Sequence, residues 1–156
     1  SAGINWDDKF TPWKFKDGKG GGPVAKIAVN FWQSQPGYEV AWTYDSASNS
    51  YQRKNGGSGH TDLNNKAQIA AKNIVIQFQR ESNANDGYPG NVHLLYGTVG
   101  NGKALIFQDG NAIEGKWIKA SRTARSKYVD TKGKEIEFNR GQIWIQTVPE
   151  GSKVSY

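Results

Sequence analysis

The chain has 156 residues, enough for one domain with its own core, and 20 Lys+Arg against 14 Asp+Glu give a formal charge of +6, which favours acidic partners. The absence of cysteine excludes disulfides, a thiol nucleophile and a cysteine-ligated metal. No stretch reaches the roughly 20 apolar residues of a membrane span, and the first residues carry no signal-peptide pattern.

Six Trp, seven Tyr and six Phe among 19 Gly read as strands separated by tight turns. Residues 1–23 read as an arm. In it Ile4, Trp6, Phe10, Trp13 and Phe15 interleave with charge and lead into a glycine run (Asp17 to Pro23). That run lacks the spacing of a phosphate-binding loop and is expected to be a flexible turn. Val24 to Trp32 and Tyr38 to Tyr44 alternate as strands, joined by the turn Gln33 to Gly37. Asp45 to Ser50 is a second turn, returning through Tyr51, Gln52 and Arg53. Lys66 to Lys72 is the one predicted helix, with Thr61, Asp62, Asn64 and Asn65 as its available caps. Asn73 opens a buried strand, Ile74 to Gln79, and Arg80 to Gly90 is a polar loop.

Beyond it the sequence predicts hairpins in series. Val92 to Val99 pairs with Lys103 to Gln108 through Gly100, Asn101 and Gly102, and Asp109-Gly110 turns the chain into Ala112 to Ala120. After a basic loop, Ser121 to Ser126, a hairpin joins Tyr128 to Asp130 with Lys134 to Phe138. The last strand is Gln142 to Val148. Alternation there puts Ile143, Ile145 and Thr147 on one face and Gln142, Trp144, Gln146 and Val148 on the other. The expected fold is α+β and β-rich: a single domain over residues 24–156, made of consecutive antiparallel hairpins with one short helix.

The chemistry concentrates between Tyr51 and Gln79, where a Gly-rich loop carries Arg53, His60 and Asp62 ahead of Asn73. Polar loops held between structured segments are the usual seats of binding or catalytic groups. His60 and Asp62 stand two apart, so an extended backbone points them the same way. Arg53 suits bidentate capture of a carboxylate or phosphate, and His60 suits proton transfer or hydrogen bonding. The structural alternative has Asp62 capping the helix and pairing with Arg53. Ser58 lies near His60, but no nucleophile elbow surrounds it. Asp130 reads as a turn residue, and Asp7, Asp8, Glu39, Asp86 and Glu114 are not paired by their spacing as glycoside hydrolysis requires. Only His60, Asp62 and a distant His93, which reads as a strand residue, offer metal ligands, so no metal and no cofactor are expected. A second candidate surface is the basic series Lys116, Lys119, Arg122, Arg125 and Lys127, flanked by Trp117 and Tyr128. Basic and aromatic residues together are how sequence-tolerant single-strand binders work, although no nucleic-acid motif accompanies them.

These residues also carry a resemblance. Trp42, Tyr44 and Asp45, then Tyr51 and Arg53, Gly59-His60 with Asp62, and the strand Lys72 to Ile76 occur in order. Asp109-Gly110, Gly115 with Trp117, Asp130/Gly133/Ile136 and Gly141-Gln142 with Trp144-Ile145 and Pro149 follow. Over about residues 24–149 this pattern resembles the C-terminal module of the YerB-like bacterial lipoproteins. The resemblance implies an extracytoplasmic, envelope-associated protein with no established reaction. In that family a larger N-terminal module and a lipid-bearing segment stand upstream, outside these 156 residues. The expected function is therefore a non-catalytic binding module for an anionic ligand or an envelope protein, one candidate being that N-terminal module. Membrane attachment would come only through an upstream lipid anchor. The rivals are an envelope hydrolase or transferase using His60 with Asp62, and a nucleic-acid-binding domain, which the missing motif disfavours.

Overall fold

The run Asn73–Gln79 is buried at every position, and the domain is layered around it. The computed structural model describes residues 11–32, 35–90 and 93–156. The expectations for Ile4, Trp6, Asp7, Asp8, Phe10, Gln33, Ser34 and Val92 fall outside the described residues. In chain order the strands are β1 (Phe15–Lys16), β2 (Lys26–Asn30), β3 (Glu39–Asp45), β4 (Ser50–Asn55), β5 (Ser58–Gly59), β6 (Ala70–Ala71) and β7 (Asn73–Gln79). They continue as β8 (Glu81–Asn83), β9 (Leu94–Tyr96), β10 (Gly100–Gln108), β11 (Asn111–Lys119), β12 (Lys127–Asp130), β13 (Phe138–Asn139), β14 (Ile143–Pro149) and β15 (Val154–Ser155).

Two sheets form the body. The front sheet runs β15-β2-β3-β4-β5, with β6 also on β4, and the central sheet runs β12-β11-β10-β7-β14. Ile27, Val29, Val40, Trp42 and Tyr51 of the front sheet pack on Ile74, Ile76, Phe78, Leu105, Phe107 and Val148 of the central one. On the opposite face of the central sheet, Val75, Ala104, Ile106, Trp117 and Tyr128 are covered by Ile136, Phe138 and Trp13. Both faces of β7 are thus dry, which is why its sequence is a continuous apolar run rather than an alternation. Fully burying side chains of this size contributes about 1.5–3 kcal/mol each.

The Gly115/Trp117 spacing has a steric cause. A Cβ on Gly115 would stand 2.1 Å from the Val129 carbonyl oxygen of β12. A Cβ on Gly102, the cross-strand partner of Trp117, would stand 2.5 Å from the indole nitrogen. The indole lies across that gap and donates to the Phe78 carbonyl at 2.6 Å.

The fold is β-rich as expected, but several finer expectations are corrected. No helix forms at Lys66 to Lys72; among the described residues the only helical element is a 3-10 turn, Pro36–Tyr38. A seven-residue helix is below the length at which helices nucleate unaided, and here sheet pairing claims the backbone. Thr61 bridges Gln68, Ala70–Ala71 pair with β4, and Lys66 takes a positive φ of 59°. Nor do Val92 to Val99 and Lys103 to Gln108 form a hairpin. Leu94–Tyr96 pairs back on Glu81–Asn83, and Gly100, Asn101 and Gly102 lie inside β10, paired with β11. The Tyr128–Phe138 hairpin closes as expected around Val129–Glu135, with Asp130 N on Lys134 O and Ile136 N on Tyr128 O, but its far end departs, Phe138–Asn139 pairing in parallel with β1. The topology is not a simple hairpin series, because β14 pairs with β7 in parallel.

The glycine run is a packed strap rather than a free turn. It crosses the Asp109-Gly110 turn, with Gly22 N donating to Asp109 O at 2.9 Å and Val24 N to Gly110 O at 2.8 Å. A Cβ on Gly22 would lie 2.3 Å from the Gly110 oxygen, so the strap depends on the missing side chain. The turn itself has φ of 58° at Asp109 and 72° at Gly110, the left-handed pair that a tight two-residue hairpin requires.

Candidate functional site

Arg53 lies on β4 two residues after Tyr51, so the strand's alternation turns both side chains toward the core. Its cross-strand partner is Trp42 on β3. The guanidinium carbon sits 5.8 Å from the Trp42 ring centroid and 4.8 Å from that of Trp144 on β14. The two indoles meet edge to face, 5.3 Å apart. Arg53 is only 7% exposed, and it has no ion-pair partner among the described residues. Burial disfavours its charged form, yet a guanidinium stays protonated at any working pH. Stacking on aromatic faces offsets part of that cost, about 2 kcal/mol for a desolvated cation.

His60 completes the inner arrangement. Its backbone N donates to Arg53 O at 2.9 Å, and Gln68 Nε2 donates to Arg53 O at 2.7 Å and to His60 O at 3.1 Å. The segment is thereby folded back along β4, and Arg53 Nη1 meets His60 Nδ1. A guanidinium only donates, so Nδ1 accepts and the imidazole proton resides on Nε2. Arg53 Nε is buried and has no partner.

Asp62 does not join this pair. Its carboxylate accepts the backbone N–H groups of Asn64 at 2.9 Å and Asn65 at 3.1 Å, closing a local turn. The residue caps a turn, not a helix, and pairs with neither Arg53 nor His60. Asn73 is fully buried: its Nδ2 donates to Asn139 O at 2.9 Å and its Oδ1 accepts Asn139 N at 2.8 Å. Both ends of the amide are engaged, which gives Asn73 a structural task. Asp130 likewise accepts Lys132 N and Lys134 N, each at 2.9 Å, as a turn residue. His93 lies before β9 rather than in a strand, its ring meeting Asp86.

The basic series divides between two faces and a loop. Register places Lys116 and Lys127 on the face of the central sheet that carries Leu105. Lys119 donates to Ala124 O, and Arg125 pairs with Glu135 at 2.6 Å. The Arg125 hydrogen bond holds the Glu135 carboxyl below its ordinary value. Arg122 is exposed on the loop. Trp117 and Tyr128 are 2% and 1% exposed, so neither offers a stacking platform beside these cations. A separate open groove of about 780 Å³ runs between β10 and the C-terminal segment, lined by Phe78, Lys103, Leu105, Glu150, Lys153 and Tyr156 among others.

The sequence singles out Arg53 and His60, which the structure brings together, but not Trp42 and Trp144, whose rings flank the guanidinium. One signal was present: Gln146 alternates with Trp144 and Val148 on the inward face of β14, a polar residue on an apolar stripe.

The chain is 31% identical over 113 residues to the "Putative lipoprotein YerB" of Bacillus subtilis (strain 168), covering 71% of this chain and 31% of that protein. Its fold matches the crystal structure of the YerB protein from Bacillus subtilis with a TM-score of 0.72 at 24% identity, over 93% of this chain and 47% of that one. The chain therefore spans less than a third of this curated relative and about half of the solved one. Residues 27–145 match the model of the C-terminal domain of a protein family of unknown function, DUF3048, and the chain belongs to that family.

Proposed function

We propose that this domain is a non-catalytic binding module of an extracytoplasmic, envelope-associated protein, and that its contact surface is the edge of the sandwich where Arg53 and His60 meet. The observation that carries the reading is a buried arginine with no acidic partner among the described residues. Buried charges are normally paired, and one left unpaired lowers stability, so its presence is accounted for by a partner outside the domain. The printed name of the Bacillus relative, a lipoprotein, supports the envelope setting. Its greater length leaves room for a further module as that partner. The hydrolase reading loses support because Asp62, its proposed partner for His60, is engaged in its own turn. The nucleic-acid reading loses support because the aromatic residues of the basic series are core residues.

A thermal-shift screen tests this, with anionic wall polymers, glycan fragments, nucleotides, single-stranded DNA and divalent metals, each repeated on Arg53→Met and His60→Ala. A ligand at about 100 times its Kd adds roughly 2.7 kcal/mol to the unfolding free energy, a shift of several degrees for a domain of this size. The reading expects a hit that Arg53→Met abolishes. Hits that survive both substitutions would move the contact surface elsewhere.

A further inference from the structure

We infer that the Nε–Nη2 edge of Arg53 is a receptor for a two-oxygen anionic group, a carboxylate or phosphate, with Trp42 and Gln146 supplying further donors. This rests on the reading of the Arg53–His60 edge as the contact surface and names the chemistry that surface takes.

The guanidinium presents its donors on defined edges. Nη1 is committed to His60. Nε is buried without a partner, and Nη2 donates to no group among the described residues. These two remaining donors lie in the guanidinium plane along one edge, the fork whose spacing matches a pair of carboxylate or phosphate oxygens. Two other side chains, on the strands that carry the flanking indoles, have the same deficit: Trp42 Nε1 and Gln146 Nε2 are buried without partners. Trp42 is the cross-strand neighbour of Arg53, and Gln146 is one alternation along β14 from Trp144, whose ring the guanidinium covers. Every unpaired group in this cluster is a donor. Elsewhere, Gln79, Gln108 and Asn139 are left with acceptor oxygens, and Arg125, whose Nε is also unpaired, has Glu135.

Unpaired buried donors are costly, and donors collected around one cation without an acid are complementary to an oxyanion. A metal ion is disfavoured at the same point by the adjacent guanidinium charge and by the contact of Nη1 with His60 Nδ1. The indole faces limit approach to the guanidinium plane and leave its edge, which favours a group that can present two oxygens side by side.

The test is a titration of the isotopically labelled chain with acetate and, separately, inorganic phosphate, each against sodium chloride at matched ionic strength. It follows the Arg53 Nε–H, Trp42 indole and Gln146 amide resonances. The inference expects saturable shifts at all three sites, with the tighter arm identifying carboxylate or phosphate. Arg53→Lys keeps the charge but loses the fork, and binding should weaken about tenfold, the loss of one charge-assisted hydrogen bond. Gln146→Leu, which conserves shape and removes one unpaired donor, should weaken it as well and carries the test if Arg53 variants do not fold. Shifts that follow ionic strength alone would overturn the inference. So would a long-lived water on Arg53 Nε that neither anion displaces. If the ligand screen gives hits lost in Arg53→Met while neither anion occupies the edge, the contact surface stands and the oxyanion class falls. With no hit and no shift, both fall.

Discussion

Two buried charges sit among the described residues, and they are treated in opposite ways. Asp109, at the tip of the β10–β11 hairpin, is 7% exposed and has every oxygen engaged: Lys16 Nζ on Oδ2 at 2.6 Å, and Asn49 Nδ2 and Asn139 Nδ2 on Oδ1, each at 2.8 Å. Arg53 is equally buried, yet among the described residues it has no acid, its Nε is unpaired, and so is the indole nitrogen of its cross-strand neighbour Trp42. Burial alone raises the Asp109 carboxyl, but the hydrogen bonds from Asn49, Lys16 and Asn139 outweigh it, and the net shift is downward. Asp109 therefore holds strap, hairpin turn and β13 together. At Arg53 burial acts without an opposing partner. A buried charge surrounded by its own partners serves the fold, whereas one with no partner among the described residues is what the proposed binding role accounts for.

The largest effect that would break this contrast is expected from Asp109→Ala. It strands the ammonium of Lys16 and two buried amides, and should lower the unfolding free energy by about 3 kcal/mol in urea titration. The same carboxylate predicts a pH dependence. Its folded pKa lies below the ordinary 3.8, so its contribution is present above that value and lost as pH falls through the lower folded one. Asp109→Asn should flatten that acid limb of stability against pH. Asn73→Ala removes the amide that pairs with Asn139, itself a donor to Asp109. It should cost about 2 kcal/mol through the unsatisfied backbone groups left behind, read from the shift in the urea midpoint. Lys16→Ala should cost less, about 1 kcal/mol or below, because the lysine is half in solvent and the two asparagines still hold Asp109. An order in which Lys16→Ala exceeds Asp109→Ala would show that the network is held by the ion pair rather than by the amides.

Much of the fold was legible because it is written in local terms. The Asp109-Gly110 turn, the alternation of β2 and β3, and the buried run of β7 follow from φ demands and apolar period, which neighbouring residues reveal. The misread elements are those decided by distant partners. Ala70 and Ala71 have good helix propensity, but Tyr51 and Gln52 take them into a sheet. Gly100 and Gly102 look like turn residues; Gly102 is instead the space into which Trp117 lies. The parallel pairing of β14 with β7 joins segments about 70 residues apart, and no short-range signal encodes it. The candidate site divides in the same way. Arg53 and His60 stand seven residues apart in one polar stretch, so the sequence singles out both, although Arg53 lies on β4 rather than on a loop. Trp42 and Trp144 reach the guanidinium from β3 and β14, so their part became visible only with the pairing. Asp62, two residues from His60, was drawn into the site by alternation, but its carboxylate is taken by Asn64 and Asn65.

The most direct test of the central claim is urea unfolding of Arg53→Met beside the wild-type chain, each with and without the anion that binds. Replacing a buried unpaired charge with an apolar side chain of similar length is often neutral or stabilising. The expected result is an unfolding free energy within about 1 kcal/mol of wild type, or above it, with stabilisation by the anion abolished. A loss of about 3 kcal/mol, with the anion's stabilisation unchanged, would make Arg53 a structural residue like Asp109 and contradict the account.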